Sequence, residues 1–356
     1  MPRGRRHRGA SGIARAVTLA AVLVCAGSPP ASAQGREAPA RTTDAALREV
    51  LRPFGGVSAR DQATLDEGGV VTRVLPTIRD EVAVLGVVRV GATPEEFARQ
   101  ASNVATFLAA PTRSAIQPIG SPPSPADLRG VELDDWELRA LERCRPTRCG
   151  IKLPAVEMEL MRHLANSDSP AWPAPVDSAF RAWLLSYVAD YEQRGDGAIP
   201  AFDDTRAGEE PAAGFRRLVD ESAPLLDLVP GLATSLLAPP SELPGSTSIY
   251  WAMDRPQGLR QILTVDQLTV VRPPGRDDAT LVAIKQLYAT HYFDARLDVQ
   301  LLVGAAGRAG DGYLVELRRA MFDEMPSGGP FGVKGRVVGK LRAALRDDLA
   351  RRQSPD

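Results

Sequence analysis

The feature that most constrains the fold is a series of strand-forming runs near the C terminus, followed by one long amphipathic stretch. Runs rich in β-branched and aromatic residues occupy 248–253, 261–271, 280–293, 297–303 and 312–322. Turn-forming segments at 273–278 and 304–311 supply reversals between them, which predicts an antiparallel meander. After a glycine-rich segment at 328–332, apolar residues recur at helical spacing from Val333 to Leu349. A long C-terminal helix should therefore follow the strands, and Gly335 and Gly339 would let it approach the sheet closely.

The earlier part of the chain mixes both types of element. Residues 43–153 contain strand-like runs at 70–75 and 81–90, and Thr93-Pro94-Glu95-Glu96 is typical of a helix start with a capping box. Residues 155–237 are largely helical and are interrupted by prolines. The fold class expected for 43–352 is α+β, in a single domain.

The first 33 residues resemble an export signal. Five arginines precede an apolar run that ends at Cys25, and Ala31-Ser32-Ala33 forms a small-x-small cleavage site. We expect cleavage near Ala33, a disordered leader at 34–42, and a periplasmic or secreted protein with no transmembrane segment in the mature chain. Lipid attachment at Cys25 is the alternative, although Val24 is larger than the residue that usually precedes a lipidated cysteine.

The charge of the mature chain disfavours nucleic acid as a partner. The whole chain has 43 basic and 44 acidic residues, and the leader holds five of the basic ones and none of the acidic ones. Cleavage would leave 38 against 44, a net charge of −6. This net negative charge argues against a nucleic-acid-binding protein and against a basic membrane-surface protein.

Two cysteines remain after cleavage, Cys144 and Cys149. In an oxidising compartment this spacing favours a local disulfide. A zinc site would need more ligands than the two histidines of the mature chain provide, so no metal is expected.

The order of elements resembles the helix-grip arrangement of the START/SRPBCC superfamily. In that fold a curved antiparallel sheet wraps around a long C-terminal helix and leaves a cavity between them. The resemblance covers about 70–352 and makes 155–237 a helical insertion. Two strings are also similar to a pattern in uncharacterised exported bacterial proteins: Cys144-x4-Cys149-Gly-Ile-Lys-Leu, and Tyr288-x-x-His291-Tyr-Phe-Asp followed by Arg319-x-x-x-Asp323. That pattern carries no known activity.

Six residues are candidates for a ligand site: Tyr250, Trp251, His291, Phe293, Arg319 and Asp323. Arg319 lies on the more apolar face of the run 312–322, where an unpaired charge would be costly, and the nearest candidate partners in type are His291, Asp294 and Asp323. It would grip a carboxylate or phosphate head group beside His291, while the aromatic residues pack the body of the ligand. In the structural alternative, Arg319 and Asp323 form an ion pair and His291 is a satisfied, partly buried histidine. The alternation in 280–293 leaves open which of its faces lines the interior.

The sequence lacks the familiar signatures of nucleophile elbows, phosphate-binding loops, dinucleotide sites and zinc proteases. No cofactor is expected, and whether the chain is an enzyme stays open. We expect an exported protein that binds a small apolar or amphipathic, lipid-like ligand in a helix-grip cavity. The alternatives are an extracytoplasmic enzyme with His291 as acid or base beside Asp294 or Asp323, and a cell-envelope protein that docks a partner through 155–237.

Overall fold

Antiparallel strands form the centre of the molecule. The computed structural model describes residues 45–78, 80–167, 171–204, 210–256, 258–305, 310–323 and 333–353. The strands within these residues are β1 (Val71–Leu75), β2 (Glu81–Val90), β3 (Arg113–Ile119), β4 (Ser246–Asp254), β5 (Ile262–Val271), β6 (Ala279–Ala289), β7 (Phe293–Gly304) and β8 (Gly312–Phe322). These eight described strands make one curved, unclosed sheet in the order β1-β2-β8-β7-β6-β5-β4-β3.

Helices occupy most of the remaining described chain. They are α1 (Ala45–Leu51), α2 (Ala59–Asp66), α3 (Pro94–Ala101), α4 (Val104–Phe107), α5 (Asp135–Leu141), α6 (Ala155–Ala165), α7 (Pro173–Arg194), α8 (Pro211–Glu221), α9 (Ala223–Leu226), α10 (Leu232–Ser235) and α11 (Val333–Arg351). Short 3-10 turns lie at Arg52–Phe54, Gly195–Ala198 and Pro240–Glu242. The predicted α+β class, antiparallel sheet and C-terminal helix are confirmed. The predicted signal peptide and disordered leader, and the glycine-rich segment 328–332, lie outside the described residues.

The predicted strand 280–293 was wrong at its end. β6 stops at Ala289 and β7 begins at Phe293, so the chain reverses through Thr290, His291 and Tyr292. Tyr292 adopts a positive φ of 69°, an uncommon conformation for a bulky residue. Two hydrogen bonds to the neighbouring strand β5 stabilise the turn. The Thr290 amide donates to the Leu263 carbonyl at 3.0 Å, and the Thr290 hydroxyl accepts from the Leu263 amide at 3.1 Å.

The start of α3 matches its sequence signal. The Thr93 hydroxyl accepts from the Glu96 amide at 3.1 Å, and the Glu96 carboxylate accepts from the Thr93 amide at 2.8 Å. This capping box, with Pro94 at the first helical position, satisfies amide groups that would otherwise lack partners. It begins a helix whose Phe97 and Ala101 are buried against the sheet.

Helices cover the two faces of the sheet unequally. The front face, which carries Val84, Val282 and Leu302, packs against α3, α4 and α11. The back face carries the alternate residues, such as Leu301, and packs against α1, α2 and α8 to α10 near β7 and β8. Helices α5 to α7 cover the back face near β4 and β5. Polar side chains that alternate along a strand are therefore enclosed even where they point away from the main apolar core.

The close approach of α11 to the sheet depends on a glycine of the strand. A Cβ added to Gly86 in β2 would lie 2.4 Å from Leu349 Cδ1 and 3.0 Å from Leu345 Cδ2. Gly339 was the wrong residue for this role, because it is exposed and an added Cβ would have no neighbour within 4 Å among the described residues. The small residue needed by the contact is supplied by the sheet, where Leu345 and Leu349 fill the space above Gly86.

Candidate functional site

The front face of the sheet carries a set of polar side chains on four neighbouring strands. We call this set the polar floor; it consists of Asp266, Gln286, Arg296, Asp298, Gln300, Glu316 and Arg318. The register places Asp266 opposite Gln286, Asp298 opposite Arg318, and Gln300 opposite Glu316. Since side chains two residues apart along a strand share a face, these seven residues occupy one continuous area.

Ion pairs satisfy part of the floor. Arg296 Nη2 lies 2.9 Å from Asp266 Oδ1, and the Thr264 hydroxyl donates to the other oxygen of Asp266 at 2.6 Å. Arg318 donates to Glu316 Oε1 at 2.6 Å and to Asp348 Oδ2 of α11 at 2.7 Å. The second contact links the floor to the C-terminal helix.

Other polar atoms of the floor have no partner. Nine buried side-chain atoms in the described residues lack a hydrogen bond, and five of them belong to the floor. They are Gln286 Oε1, Gln300 Oε1, Asp298 Oδ1, Glu316 Oε2 and Arg296 Nε. A buried polar atom without a partner costs about 1–3 kcal/mol, so this concentration is unusual for a face that serves packing alone.

Asp298 occupies the centre of the floor. Its closest basic atom, Arg296 Nε, lies 3.7 Å from Asp298 Oδ2, which is beyond hydrogen-bond distance. Burial raises the pKa of Asp298 to about 6, and the nearby carboxylates Glu316 and Asp266 act in the same direction against the two arginines. The floor is nevertheless reached by solvent, since 15% of the Asp298 side chain and 22% of the Arg318 side chain are exposed.

Apolar and aromatic side chains border the floor on the same face. Leu268 and Ile284 lie beside it in β5 and β6 and are buried. Tyr250 faces it from β4, opposite Asp266 in the register. At the other end of β7, Phe293 and Phe322 pack with ring centroids 5.0 Å apart. The front face thus combines a polar centre with an apolar border.

A second polar cluster lies where β7 begins and β8 ends. Lys152 is 2% exposed, and its ammonium lies 2.7 Å from Asp323, 2.8 Å from Asp294 and 3.6 Å from Asp204. Burial raises the pKa of Asp323 to about 7, and Asp294 adds to that shift while Lys152 opposes it. Burial alone would lower the pKa of Lys152, but the three carboxylates outweigh it and hold that pKa above its usual value.

The predicted disulfide, Cys144–Cys149, is present immediately before Lys152. The Lys152 amide donates to the Thr290 carbonyl at 3.1 Å, and the Tyr288 hydroxyl donates to the Lys152 carbonyl at 2.9 Å. The two sequence strings that begin at Cys144 and Tyr288 therefore meet in space. The same cluster includes Asp323, the last residue of the second string.

The six predicted site residues do not form one site. Tyr250 and Phe293 lie on the front face, whereas the Trp251 indole is on the back face and donates to the Asp127 carbonyl at 2.8 Å. His291 Nε2 lies 2.8 Å from Glu137 Oε1 and packs edge-on against Trp136. Asp323 contacts Lys152.

The partners expected for Arg319 were wrong. Arg319 lies on the back face, 4% exposed, and pairs with Glu81 of β2 at 2.5 Å and with the Glu221 carbonyl of α8 at 2.9 Å. Asp294 and Asp323 are held by Lys152 instead, and His291 is held by Glu137. The structural alternative was right that Arg319 makes an ion pair but wrong about its partner. Neither Glu81 nor Lys152 was a sequence candidate.

The described residues were also compared with the requirements of a metal site and of a membrane-spanning helix. No group of three or more His, Cys, Asp and Glu side chains in the described residues is arranged as metal ligands. Within the same residues, no helix has the length and apolarity needed to cross a bilayer.

A surface groove of about 580 Å³ lies between α3 and the ends of β4 and β5, away from the polar floor.

Comparison with known proteins adds no assignment. The chain matches no protein-family model and no curated protein sequence.

Proposed function

We propose that this protein binds an amphipathic small molecule on the front face of its sheet, beside α11, with the polar part of the ligand on the polar floor. The observation that carries the proposal is the concentration of unpaired, buried polar atoms on that face. A ligand that supplied their hydrogen bonds would recover the free energy that the folded chain leaves unrealised. The apolar border formed by Leu268, Ile284 and the Phe293–Phe322 pair would contact the rest of the ligand.

The order of elements supports a helix-grip relationship. Without its first edge strand, the sheet reads β2-β8-β7-β6-β5-β4-β3, with α3 and α4 between β2 and β3 and α11 after β8. In this interpretation α11 is the gripped helix and 155–237 is an insertion that covers the back face. The contacts of Leu345 and Leu349 with the front face agree with it.

We also propose that the protein works outside the cytoplasm. The basic, apolar and small-x-small order of the first 33 residues supports export. The disulfide between Cys144 and Cys149 is consistent with an oxidising compartment. N-terminal sequencing of the exported product would test this, and a start near Gln34 is expected.

The binding proposal is tested with the full chain expressed with its own leader and purified from the exported fraction. Intact masses under native and denaturing conditions would show whether a non-covalent ligand is carried. Binding of the uncharged dye Nile red, followed by its fluorescence, gives a second readout. We expect saturable dye binding that weakens in Phe293→Ala, since Phe293 belongs to the apolar border, and is unchanged in Leu160→Ala, since Leu160 is exposed on α6. Equal binding by both variants, or no saturable binding, would contradict the site.

An enzyme is the second candidate, and Asp323 is the observation that favours it. A carboxyl group with a pKa of about 7 beside a buried lysine has the properties of a general acid or base. His291 lies on the adjacent turn but is engaged by Glu137. If turnover of any substrate is found, Asp323→Asn should abolish most of it, whereas a binding protein would retain dye binding in the same variant.

A further inference from the structure

The unpaired atoms of the polar floor include more hydrogen-bond acceptors than donors, and this excess indicates which kind of ligand group would bind there. Four are acceptor oxygens: Gln286 Oε1, Gln300 Oε1, Asp298 Oδ1 and Glu316 Oε2. The single unpaired donor is Arg296 Nε, which lies beside the other Asp298 oxygen. A ligand group placed here would need to donate several hydrogen bonds and accept few.

The other three acceptors are grouped around Asp298. Gln300 lies two residues further along β7 and directly opposite Glu316 of β8. Gln286 is two residues from Ile284, which is the β6 neighbour of Asp298. Diagonal neighbours of this kind are about 7–8 Å apart at Cα, so the side chains of Asp298, Gln300 and Glu316 can converge on one small group, whereas Gln286 lies on the other side of Asp298. Gln286, Gln300 and Glu316 are 6%, 2% and 0% exposed, which makes their missing bonds costly.

The charges favour a cation over a neutral donor. The floor contains three carboxylates and two guanidinium groups, and Asp348 and Arg352 at the end of α11 add one charge of each sign beside Glu316 and Arg318. Arg296 is hydrogen-bonded to Asp266, and Arg318 is engaged by Glu316 and Asp348. Asp298 is therefore the carboxylate with the least compensated charge. A carboxylate or phosphate on the ligand would face unpaired oxygens and be repelled by them.

We infer that the ligand of the front face carries an ammonium head group, which donates its three N–H groups to Asp298 and to the neighbouring oxygens of Gln300 and Glu316. This inference rests on the proposed binding function and specifies its ligand class. It reverses the anionic head group expected when Arg319 was the candidate anchor, because Arg319 is on the opposite face and already paired. An ammonium offers three donors, which suits a cluster with more acceptors than donors.

The test compares three ligands that share one twelve-carbon chain and differ only in head group: dodecylamine, dodecanol and dodecanoate. Each is titrated against Nile red bound to the exported, full-length product. We expect dodecylamine to displace the dye at about tenfold lower concentration than dodecanol, with dodecanoate weakest. Dodecanoate displacing as well as or better than dodecylamine would overturn the head-group inference and leave the binding function standing. Absence of saturable dye binding would overturn both.

Two variants connect the preference to the floor. Asp298→Asn should remove most of the advantage of the amine and leave dodecanol unchanged, while the exposed Asp278→Asn should change neither. Gln300→Met removes an unpaired acceptor without breaking a bond, so it keeps the test decisive if Asp298→Asn fails to fold; Gln100→Met is its control. An unchanged amine preference in Gln300→Met and in any folded Asp298→Asn would overturn the assignment to these residues.

Discussion

Two buried lysines, Lys152 and Lys285, each contact the 155–237 segment, and their surroundings shift their pKa values in opposite directions. Lys152 has three aspartates around its ammonium, at 2.7, 2.8 and 3.6 Å. Lys285 is fully buried and has one aspartate, Asp196, together with the Leu236 carbonyl at 2.7 Å. Aromatic rings of Phe215 and Tyr191 lie 4.3 and 5.0 Å from the Lys285 ammonium.

The number of carboxylates decides the sign of the shift. Burial lowers the pKa of Lys285 to about 8, and the single partner Asp196 only partly opposes it. At Lys152 burial acts in the same direction, but three carboxylates reverse the outcome. The excess of carboxylates in this cluster disfavours the ionised form of Asp323: burial, the largest effect, and the neighbouring Asp294 raise the pKa of Asp323 to about 7. One cluster is rich in acid and the other has a single weakened pair, so the two should respond differently to mutation and to pH.

The largest expected effect is the loss of Lys152. Lys152→Met would leave three buried carboxylates with no cation, and we expect a loss of about 3–5 kcal/mol in the free energy of unfolding. Lys285→Met leaves only Asp196, whose pKa burial already raises, so that this group can take up a proton. Its loss should be smaller, about 1–3 kcal/mol. Denaturant unfolding of the exported protein measures both, and equal losses would contradict the comparison.

The pH dependence of the acid-rich cluster comes next. The pKa of Asp323 is higher in the folded protein than its ordinary value of 3.8, so its protonated form stabilises the fold relative to its ionised form. Stability should be highest below about pH 4 with respect to this group, and should fall by about 2–4 kcal/mol as the pH rises to about 7. Asp323→Asn should flatten that fall, whereas Asp278→Asn should preserve it. A fall that persists unchanged in Asp323→Asn would refute the assignment.

Lys285 should give the opposite slope at higher pH. Its pKa in the folded protein, about 8, is below the ordinary value of 10.5, so the unfolded chain binds more protons between these limits. Stability should therefore rise with pH across this window, by about 2–3 kcal/mol in the difference between the parent and Lys285→Met. The neighbouring Tyr187 and Tyr191, whose pKa values burial raises, act the other way above about pH 10. A flat difference below that pH would show that Lys285 is not desolvated.

The strands were predictable from sequence where local signals were strong. The runs at 70–75, 81–90 and 261–271 are rich in β-branched residues, and the capping box is formed by Thr93 and Glu96, which are only three residues apart in the sequence. The reversal at 290–292 was not, because Thr290, His291 and Tyr292 are not turn-forming residues. Its geometry comes from hydrogen bonds to Leu263, which is far away in sequence.

The candidate site was harder to predict for a related reason. In β7 the residues Arg296, Asp298 and Gln300 alternate with Leu297 and Val299, a pattern that normally indicates one wet face of an antiparallel sheet. Only the position of α3, α4 and α11 shows that most of this polar face is covered, with the Asp298 and Arg318 side chains still partly exposed. Composition held one unused signal: the chain has four lysines among its 43 basic residues, and two of the four are buried.

The disulfide is expected to have the smallest effect on stability, although it adjoins the acid-rich cluster. A loop closed over a separation of five residues adds about 2 kcal/mol at most, and Lys152 has other ties. The Lys152 amide and carbonyl are both hydrogen-bonded to β6 and the turn after it, and the Cys149 amide donates to the Asp204 carbonyl at 3.3 Å. The double variant Cys144→Ala/Cys149→Ala should thus keep the Asp323-dependent fall in stability between about pH 4 and 7. If the double variant instead lost as much free energy of unfolding as Lys152→Met and showed no such pH dependence, the disulfide alone would be what holds Lys152 among its three aspartates.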